Sequence, residues 1–183
     1  NGIPNPDSWV LCQRSISEWC DEMSESYDQA YVEDGKLILK AEKIGNEYRA
    51  GGIESMGKVD FTFGRVEVRA RIPNHPDGAF PAIWLMPQKS APLYSSWPNG
   101  GEIDIMTVHT HYTYDLNIKE PINSTSVTCN YEDWNIYAVE WTEDKITFFV
   151  NDQETFSYEN LKLANEEEMK QWPFTKDSSF YII

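Results

Sequence analysis

The ten residues Gly64-Arg-Val-Glu-Val-Arg-Ala-Arg-Ile-Pro73 decide the fold class of this chain. Charged and apolar side chains alternate strictly along them, so that Val66, Val68, Ala70 and Ile72 fall on one face. A period of two is typical of a β-strand with one face on a core and the other in water. The segment therefore predicts a half-buried strand.

Segments of the same kind recur on both sides of this strand, separated by turn residues. Upstream, Tyr31–Val32 and Lys36–Glu42 flank the pair Asp34-Gly35, which is a strong hairpin signal. Further strands are predicted at residues 49–55, 59–63, 79–87, 102–106, 107–113, 135–141, 145–150 and 153–158, with one short helix at 165–172. Residues 1–29 are expected to form an irregular N-terminal arm. This pattern predicts an all-β sandwich or jelly roll that forms a single domain over residues 1–183.

Composition excludes several classes of function. The net charge of −15 over 183 residues repels phosphate backbones, so nucleic acid is not expected as a partner. No apolar run of about 18 residues is present, so no membrane-spanning segment is predicted. The spacing of Cys12, Cys20 and Cys129 does not fit a metal site; Cys12 and Cys20 form a disulfide, or all three are thiols. The many aromatic residues suit neutral sugars, whose C–H faces pack on rings.

A second strand carries two carboxylates on one face. In Gly100-Gly-Glu-Ile-Asp-Ile-Met106, the side chains of Glu102 and Asp104 share one face, and Ile103 and Ile105 share the other. Carboxylates two positions apart lie about 7 Å from each other along a strand, which couples their titrations. One carboxylate is then ionised while its neighbour is partly protonated. The alternative is an edge strand with a solvated acidic face.

Five blocks of sequence, in this order, resemble glycoside hydrolase family 16. They are Ala30–Ala41, Gly64–Pro73, Phe80-Pro-Ala-Ile-Trp-Leu-Met-Pro87, Gly101-Glu-Ile-Asp-Ile-Met106 and Tyr137-Ala-Val-Glu-Trp-Thr142. The resemblance implies a concanavalin-like β-jelly-roll sandwich of two antiparallel sheets. It also implies an endo-acting, retaining hydrolase of an oligosaccharide or polysaccharide that needs no metal or cofactor. A secreted, periplasmic or cell-surface monomer is expected.

The same resemblance implies roles for single residues. Glu102 matches the nucleophile and Asp104 its assisting carboxylate, while Trp97, Trp84, His109 and His111 are expected to bind substrate. The family signature Glu-x-Asp-x-x-Glu places a catalytic acid/base at position 107. This sequence has Thr107 there, and a threonine hydroxyl is too weak an acid to protonate a leaving glycosidic oxygen.

Two interpretations of Thr107 remain open. In the first, the acid/base is lost and the protein binds carbohydrate without cleaving it. In the second, the native polypeptide has additional residues between Met106 and Thr107, because residues 102–113 would otherwise run as one straight strand without a turn residue. The end at Phe180-Tyr-Ile-Ile183 likewise predicts that further C-terminal strands belong to the domain.

The predicted substrate is a neutral glucan or a galactose-containing glycan, such as poly-N-acetyllactosamine or a mucin-type O-glycan. A chain with a net charge of −15 is expected to repel sulfated polymers unless arginines offset that charge locally.

Overall fold

The computed structural model describes residues 2–73, 78–95, 97–106, 109–111, 123–163 and 171–183, with residues 109 and 111 described by their backbone. The chain divides into two compact units. The first comprises Asn1–Asp60 with Tyr181–Ile183, and the second comprises Phe61–Phe180.

The first unit consists of short paired strands. They are β1 (Val10–Leu11), β2 (Ala30–Glu33), β3 (Lys36–Leu39), β4 (Ala41–Ile44), β5 (Glu47–Ala50) and β6 (Ile53–Glu54), paired as β1–β6, β2–β3 and β4–β5. The predicted hairpin at Asp34-Gly35 is confirmed, and both residues have positive φ angles of 49° and 73°. The predicted strand 36–42 is wrong in extent, because Lys40 leaves the ladder and its N–H donates to the carbonyl of Gln29.

The second unit contains the two larger sheets. Its strands are β7 (Gly64–Ala70), β8 (Trp84–Pro87), β9 (Glu102–Asp104), β10 (His109–His111), β11 (Asn135–Trp141), β12 (Lys145–Val150) and β13 (Gln153–Glu159). Its last residue, Phe180, is also the first residue of β14 (Phe180–Ile182). One sheet has the order β13-β12-β11-β7 and the other β10-β9-β8-β14. The registers of β7, β11, β12 and β13 are antiparallel, as are those of β8, β9 and β10.

Aromatic rings form the core of the second unit. Trp141 is 1% exposed and meets the rings of Phe63 and Phe180 edge-on, with centroids 5.1 Å away in both cases. Its indole Nε1 donates to the carbonyl of Phe174 at 3.0 Å, so the polar atom of this buried side chain is satisfied. The stack of Tyr158 on Trp172 extends the same cluster. Burial of these large rings supplies much of the hydrophobic stabilisation of the unit.

Several predicted strands are shorter than expected; 64–73 ends at Ala70, 102–106 ends at Asp104, and the largest differences are at 59–63 and 79–87. Residues 59–63 form only an isolated bridge between Phe61 and Phe180, because Phe63 and Gly64 turn the backbone with φ angles of 61° and 112°. Of the run 79–87, only residues 84–87 form a strand, and Phe80 is 79% exposed. The almost entirely apolar composition of residues 79–87 predicts a strand that is buried on both faces over its whole length, and this prediction is wrong.

The predicted all-β class is confirmed, and the strands at 135–141 and 145–150 have the predicted bounds. The predicted helix at 165–172 falls mainly on residues 164–170, which lie outside the described residues. In the described part of the chain, no helix has the length and apolar character that crossing a membrane requires.

Candidate active site

Strand β9 places the two carboxylates, and its alternation is as predicted. It lies between β8 and β10, with Ile103 opposite Leu85, and both of these side chains are fully buried. Glu102 and Asp104 project from the other face of the same three residues. Because Ile103 is fixed in the core, the carboxylates are fixed in direction as well.

The two glycines before β9 allow its close entry into the sheet. Gly101 has a φ of +87°, and a Cβ on it would lie 2.7 Å from the ring of Phe174. A Cβ on Gly100 would lie 2.7 Å from the carbonyl oxygen of Leu93. Only glycine avoids both the strained φ and these contacts, so the Gly-Gly pair sets the position from which Glu102 starts.

Trp97 holds the carboxylate of Glu102. Its indole Nε1 donates a hydrogen bond of 2.6 Å to Oε2 of Glu102. Glu102 is only 8% exposed, whereas Trp97 is 48% exposed. One side chain therefore fixes a buried carboxylate and still offers ring surface to a ligand.

The two carboxylates share a proton. Burial raises the pKa of Asp104 to about 8, and the adjacent charge of Glu102 and a hydrogen bond to it add to the effect. Burial also raises the pKa of Glu102, but hydrogen bonds from Trp97 and Asp104 act in the opposite direction. Because its pKa is the one raised to about 8, Asp104 is the carboxylate that holds the shared proton at neutral pH. The coupling of the two titrations is as the spacing predicts.

The other predicted binding residues lie on the strands that flank β9. Trp84 is opposite Asp104 on β8, but at 8% exposure it leaves little ring surface for stacking on a sugar. In backbone register, His109 lies opposite Asp104 and His111 lies opposite Glu102 on β10. The register therefore brings five of the predicted positions to one part of the sheet. Their roles in binding stay predictions.

The chain reverses direction between Asp104 and His109. These two residues are antiparallel partners, and the N–H groups of Ile105 and Met106 both donate to the carbonyl of Ile83. The expectation that residues 102–113 cannot reverse without additional residues is therefore wrong, because only four residues, none of them glycine or proline, separate these partners. Residues 107 and 108 lie outside the described residues, and so does the Met106–Thr107 junction on which the acid/base question depends.

Two supporting contacts could not be found in the sequence. The hydrogen bond from Trp97 to Glu102 depends on the conformation of the loop before β9, which no periodicity reveals. The approach of Phe174 to Gly101 joins residues that are distant in sequence. The Gly-Gly pair was the one available signal for such a close contact. In the described residues, no group of three His, Cys, Asp or Glu side chains could hold a metal ion.

Comparisons with known proteins agree with this arrangement. The model of glycosyl hydrolases family 16 matches residues 18–181. The chain is 32% identical over 204 aligned positions to a β-glucanase of Rhodothermus marinus, covering 100% of this chain and 70% of that protein. It is 33% identical over 191 positions to a keratan-sulfate endo-1,4-β-galactosidase of Sphingobacterium multivorum, covering 96% and 43%.

A solved structure has the same fold. It comes from work on endo-acting O-glycanases with which human gut microbiota initiate mucin breakdown. It superposes with a TM-score of 0.79 at 32% identity, covering 99% of this chain and 79% of that one. The predicted jelly-roll sandwich is thereby confirmed.

The lengths of the alignments are informative. The chain spans less than half of the galactosidase. The alignment to the β-glucanase covers 204 positions, whereas this chain has only 183 residues. The β-glucanase therefore has residues inside the matched region that this sequence lacks. The family match covers most of the chain and includes the carboxylate strand, and the chain belongs to glycosyl hydrolase family 16.

Proposed function

We propose that this chain is the catalytic domain of an endo-acting, retaining β-glycoside hydrolase. The observation that carries the proposal is the carboxylate pair of β9, in which Glu102 and Asp104 are hydrogen-bonded to each other and Trp97 donates to Glu102. A buried, ionised carboxylate with two hydrogen-bond donors and a half-exposed tryptophan beside it suits nucleophilic attack on a sugar.

Glu102 is the nucleophile in this mechanism. Its carboxylate oxygen forms a bond to the anomeric carbon as the bond from that carbon to the glycosidic oxygen breaks. The hydrogen bonds from Asp104 and Trp97 hold the carboxylate in one orientation and lower its pKa, against the larger raising effect of burial. Water then releases the sugar from Glu102 with retention of configuration.

The leaving oxygen needs a proton, which Thr107 cannot supply. We infer that the acid/base belongs to residues that the native polypeptide has between Met106 and Thr107. The presence of extra residues in the matched region of the β-glucanase supports this, although they are not assigned to that position. The reversal between Asp104 and His109 occurs without them and therefore does not support this inference.

The proposed substrate is the interior of a β-linked glucan or a galactose-containing glycan. Relatives of similar identity are named for both sugar configurations, so identity does not rank them. The relative named for keratan sulfate also weakens the argument from net charge against sulfated chains. We further propose that the protein acts outside the cytoplasm and as a monomer, as expected for an enzyme whose substrate is a large external polymer.

The experiment is incubation with laminarin, mixed-linkage barley glucan, agarose, keratan sulfate and mucin, followed by sizing of the products. We expect oligosaccharides of intermediate length from one group, with loss of activity in Glu102→Gln. Glu154→Gln, which alters an exposed carboxylate on β13, is the matched control and should remain fully active. Monosaccharides as the first product would contradict endo-cleavage, and an active Glu102→Gln variant would contradict the assigned nucleophile.

A second candidate is a carbohydrate-binding protein without turnover, and Thr107 is the observation that favours it. The two candidates separate when polysaccharide is compared with 2,4-dinitrophenyl β-glycosides, whose leaving group departs without protonation. An enzyme with a complete site cleaves both kinds of substrate. A binding protein that keeps Glu102 but has no acid/base leaves the polysaccharide intact, although it still transfers the sugar of the activated glycoside to azide.

A further inference from the structure

The arginines of this chain fall into two groups. Three of the five arginines form ion pairs with carboxylates, namely Arg14, Arg49 and Arg65. The other two, Arg69 and Arg71, instead stack on the indole ring of Trp134. Among the described residues, no carboxylate lies within ion-pairing distance of either guanidinium.

The strand register explains how these three side chains meet. Ala70 on β7 lies opposite Asn135 on β11, which brings the neighbouring Arg71 and Trp134 side by side. The guanidinium carbon of Arg69 lies 4.3 Å from the centroid of the Trp134 ring, and that of Arg71 lies 5.4 Å from it. Both arginines are exposed and alternate with Val68 and Ala70, and Trp134 is 37% exposed. The three side chains therefore form an outward-facing patch.

The absence of ion pairs is unusual in a chain with a net charge of −15. On the same strand, Arg65 binds Glu67, Glu140 and Asp152 together. Near the patch, the carboxylate of Asp133 accepts a hydrogen bond from Asn130. Stacking occupies the face of a guanidinium but leaves the N–H groups at its edge able to donate two parallel hydrogen bonds to the oxygens of an oxyanion.

We propose that Arg69, Arg71 and Trp134 form an accessory site for an anionic sugar unit of a glycan, outside the catalytic strand. Two guanidiniums held on one ring match the oxygens of a sulfate ester or a uronate. The exposed part of the indole ring provides an apolar surface for the attached sugar. The negative charge of the rest of the surface disfavours long polyanions such as nucleic acid, so a glycan with isolated charges fits better.

The choice of a glycan rests on the proposed function, but the experiment measures binding alone. Affinity electrophoresis in gels containing keratan sulfate, chemically desulfated keratan sulfate or poly-glutamate measures retardation of the protein. The Glu102→Gln variant serves as the parent, so that the probe is not consumed. Its retardation should be strongest with keratan sulfate and should weaken with added salt.

The test variant is the parent with Arg69→Gln and Arg71→Gln, and the matched control is the parent with Arg65→Gln, which also removes cationic charge from β7. We expect the double variant to bind keratan sulfate about tenfold more weakly, as for the loss of a charge-assisted bidentate contact. It should bind the desulfated polymer as the parent does, and the control should bind keratan sulfate at least half as tightly as the parent.

Three results would overturn the proposal. They are unchanged binding of keratan sulfate by the double variant, an equal loss in the Arg65 control, and equally tight binding of poly-glutamate by the parent. Thermal melting verifies folding of each variant. If the double variant is unfolded, the variant with Arg69→Lys and Arg71→Lys replaces it. These lysines keep the positive charge but lose the planar, bidentate guanidinium group. Full affinity of this variant for keratan sulfate would contradict the proposed site. If the chain shows no catalytic activity but passes these binding tests, the proposed function is contradicted and the accessory site is not.

Discussion

Replacing Asp104 by Asn tests whether this residue works as a protonated partner of Glu102. With its pKa raised by burial to about 8, Asp104 carries a proton in most molecules at pH 7. An asparagine has the same shape, and its amide N–H₂ can donate to Glu102 as the protonated carboxyl does. At pH 7 the variant therefore resembles the major form of the native site.

We expect two consequences for the rate. At pH 7, Asp104→Asn should retain activity within about threefold of the native protein, whereas Glu102→Gln should lose at least about a hundredfold. Above pH 8 the native site loses its shared proton and gains a second charge beside Glu102. The native rate should then fall, while the rate of the asparagine variant, which cannot lose that proton, should stay level.

The assay is release of dinitrophenolate from a 2,4-dinitrophenyl β-glycoside in the presence of azide, followed from about pH 5 to pH 10. This substrate needs no acid catalyst, so the profile reports the carboxylate pair of β9 whether or not an acid/base is present. The reasoning is refuted if Asp104→Asn is as inactive as Glu102→Gln at pH 7. It is also refuted if the variant shows the same alkaline decline as the native protein.

Three further variants test the support around the pair. Trp97→Phe keeps a ring but loses the hydrogen bond to Glu102, so kcat should fall by about tenfold to a hundredfold. Trp97→Ala should also weaken oligosaccharide binding by about 1–3 kcal/mol, with little change in Tm. A large fall in Tm would show that Trp97 stabilises the core instead. Gly101→Ala should destabilise the fold by roughly 1–3 kcal/mol in urea titrations, because Gly101 has a positive φ and a Cβ there would meet the ring of Phe174. This loss should exceed the loss in Gly57→Ala, where a Cβ meets nothing within 4 Å. Equal losses would contradict the role of the close contact. Because the pKa of Asp104 is raised, the folded state retains a proton between about pH 4 and pH 8 that the unfolded chain releases. The free energy of unfolding should therefore fall as pH rises through this range, and it should fall less steeply in Asp104→Asn. Equal slopes in the two proteins would contradict the raised pKa.

Local alternation sufficed for the strands whose faces differ in polarity. β11 and β12 have their predicted bounds, and β9 has the predicted division between isoleucines and acids. In these strands one face contacts a core, so register and burial follow from the sequence itself. The shared proton of Glu102 and Asp104 also followed from spacing, because two carboxylates at that distance cannot ionise independently.

Features set by distant parts of the chain could not be obtained in this way. The apolar run before Trp84 predicted a buried strand, but only its last residues find a strand partner, and Phe80 is exposed. A reversal after Asp104 was expected, but not within four residues, because residues 105–108 include no common turn former. The stacking of two arginines on Trp134 required the pairing of β7 with β11, which alternation alone does not specify.

The most direct test of the mechanism is to trap the bond that Glu102 is proposed to form. A 2,4-dinitrophenyl 2-deoxy-2-fluoro-β-glycoside of the glucose or galactose series forms a long-lived glycosyl-enzyme with a retaining nucleophile and needs no acid/base. Peptide mass spectrometry of the labelled protein should then locate one sugar on Glu102. A sugar attached to a different carboxylate would contradict Glu102 as the nucleophile. Release of dinitrophenolate without an adduct on Glu102, in both the glucose and the galactose series, would contradict it as well.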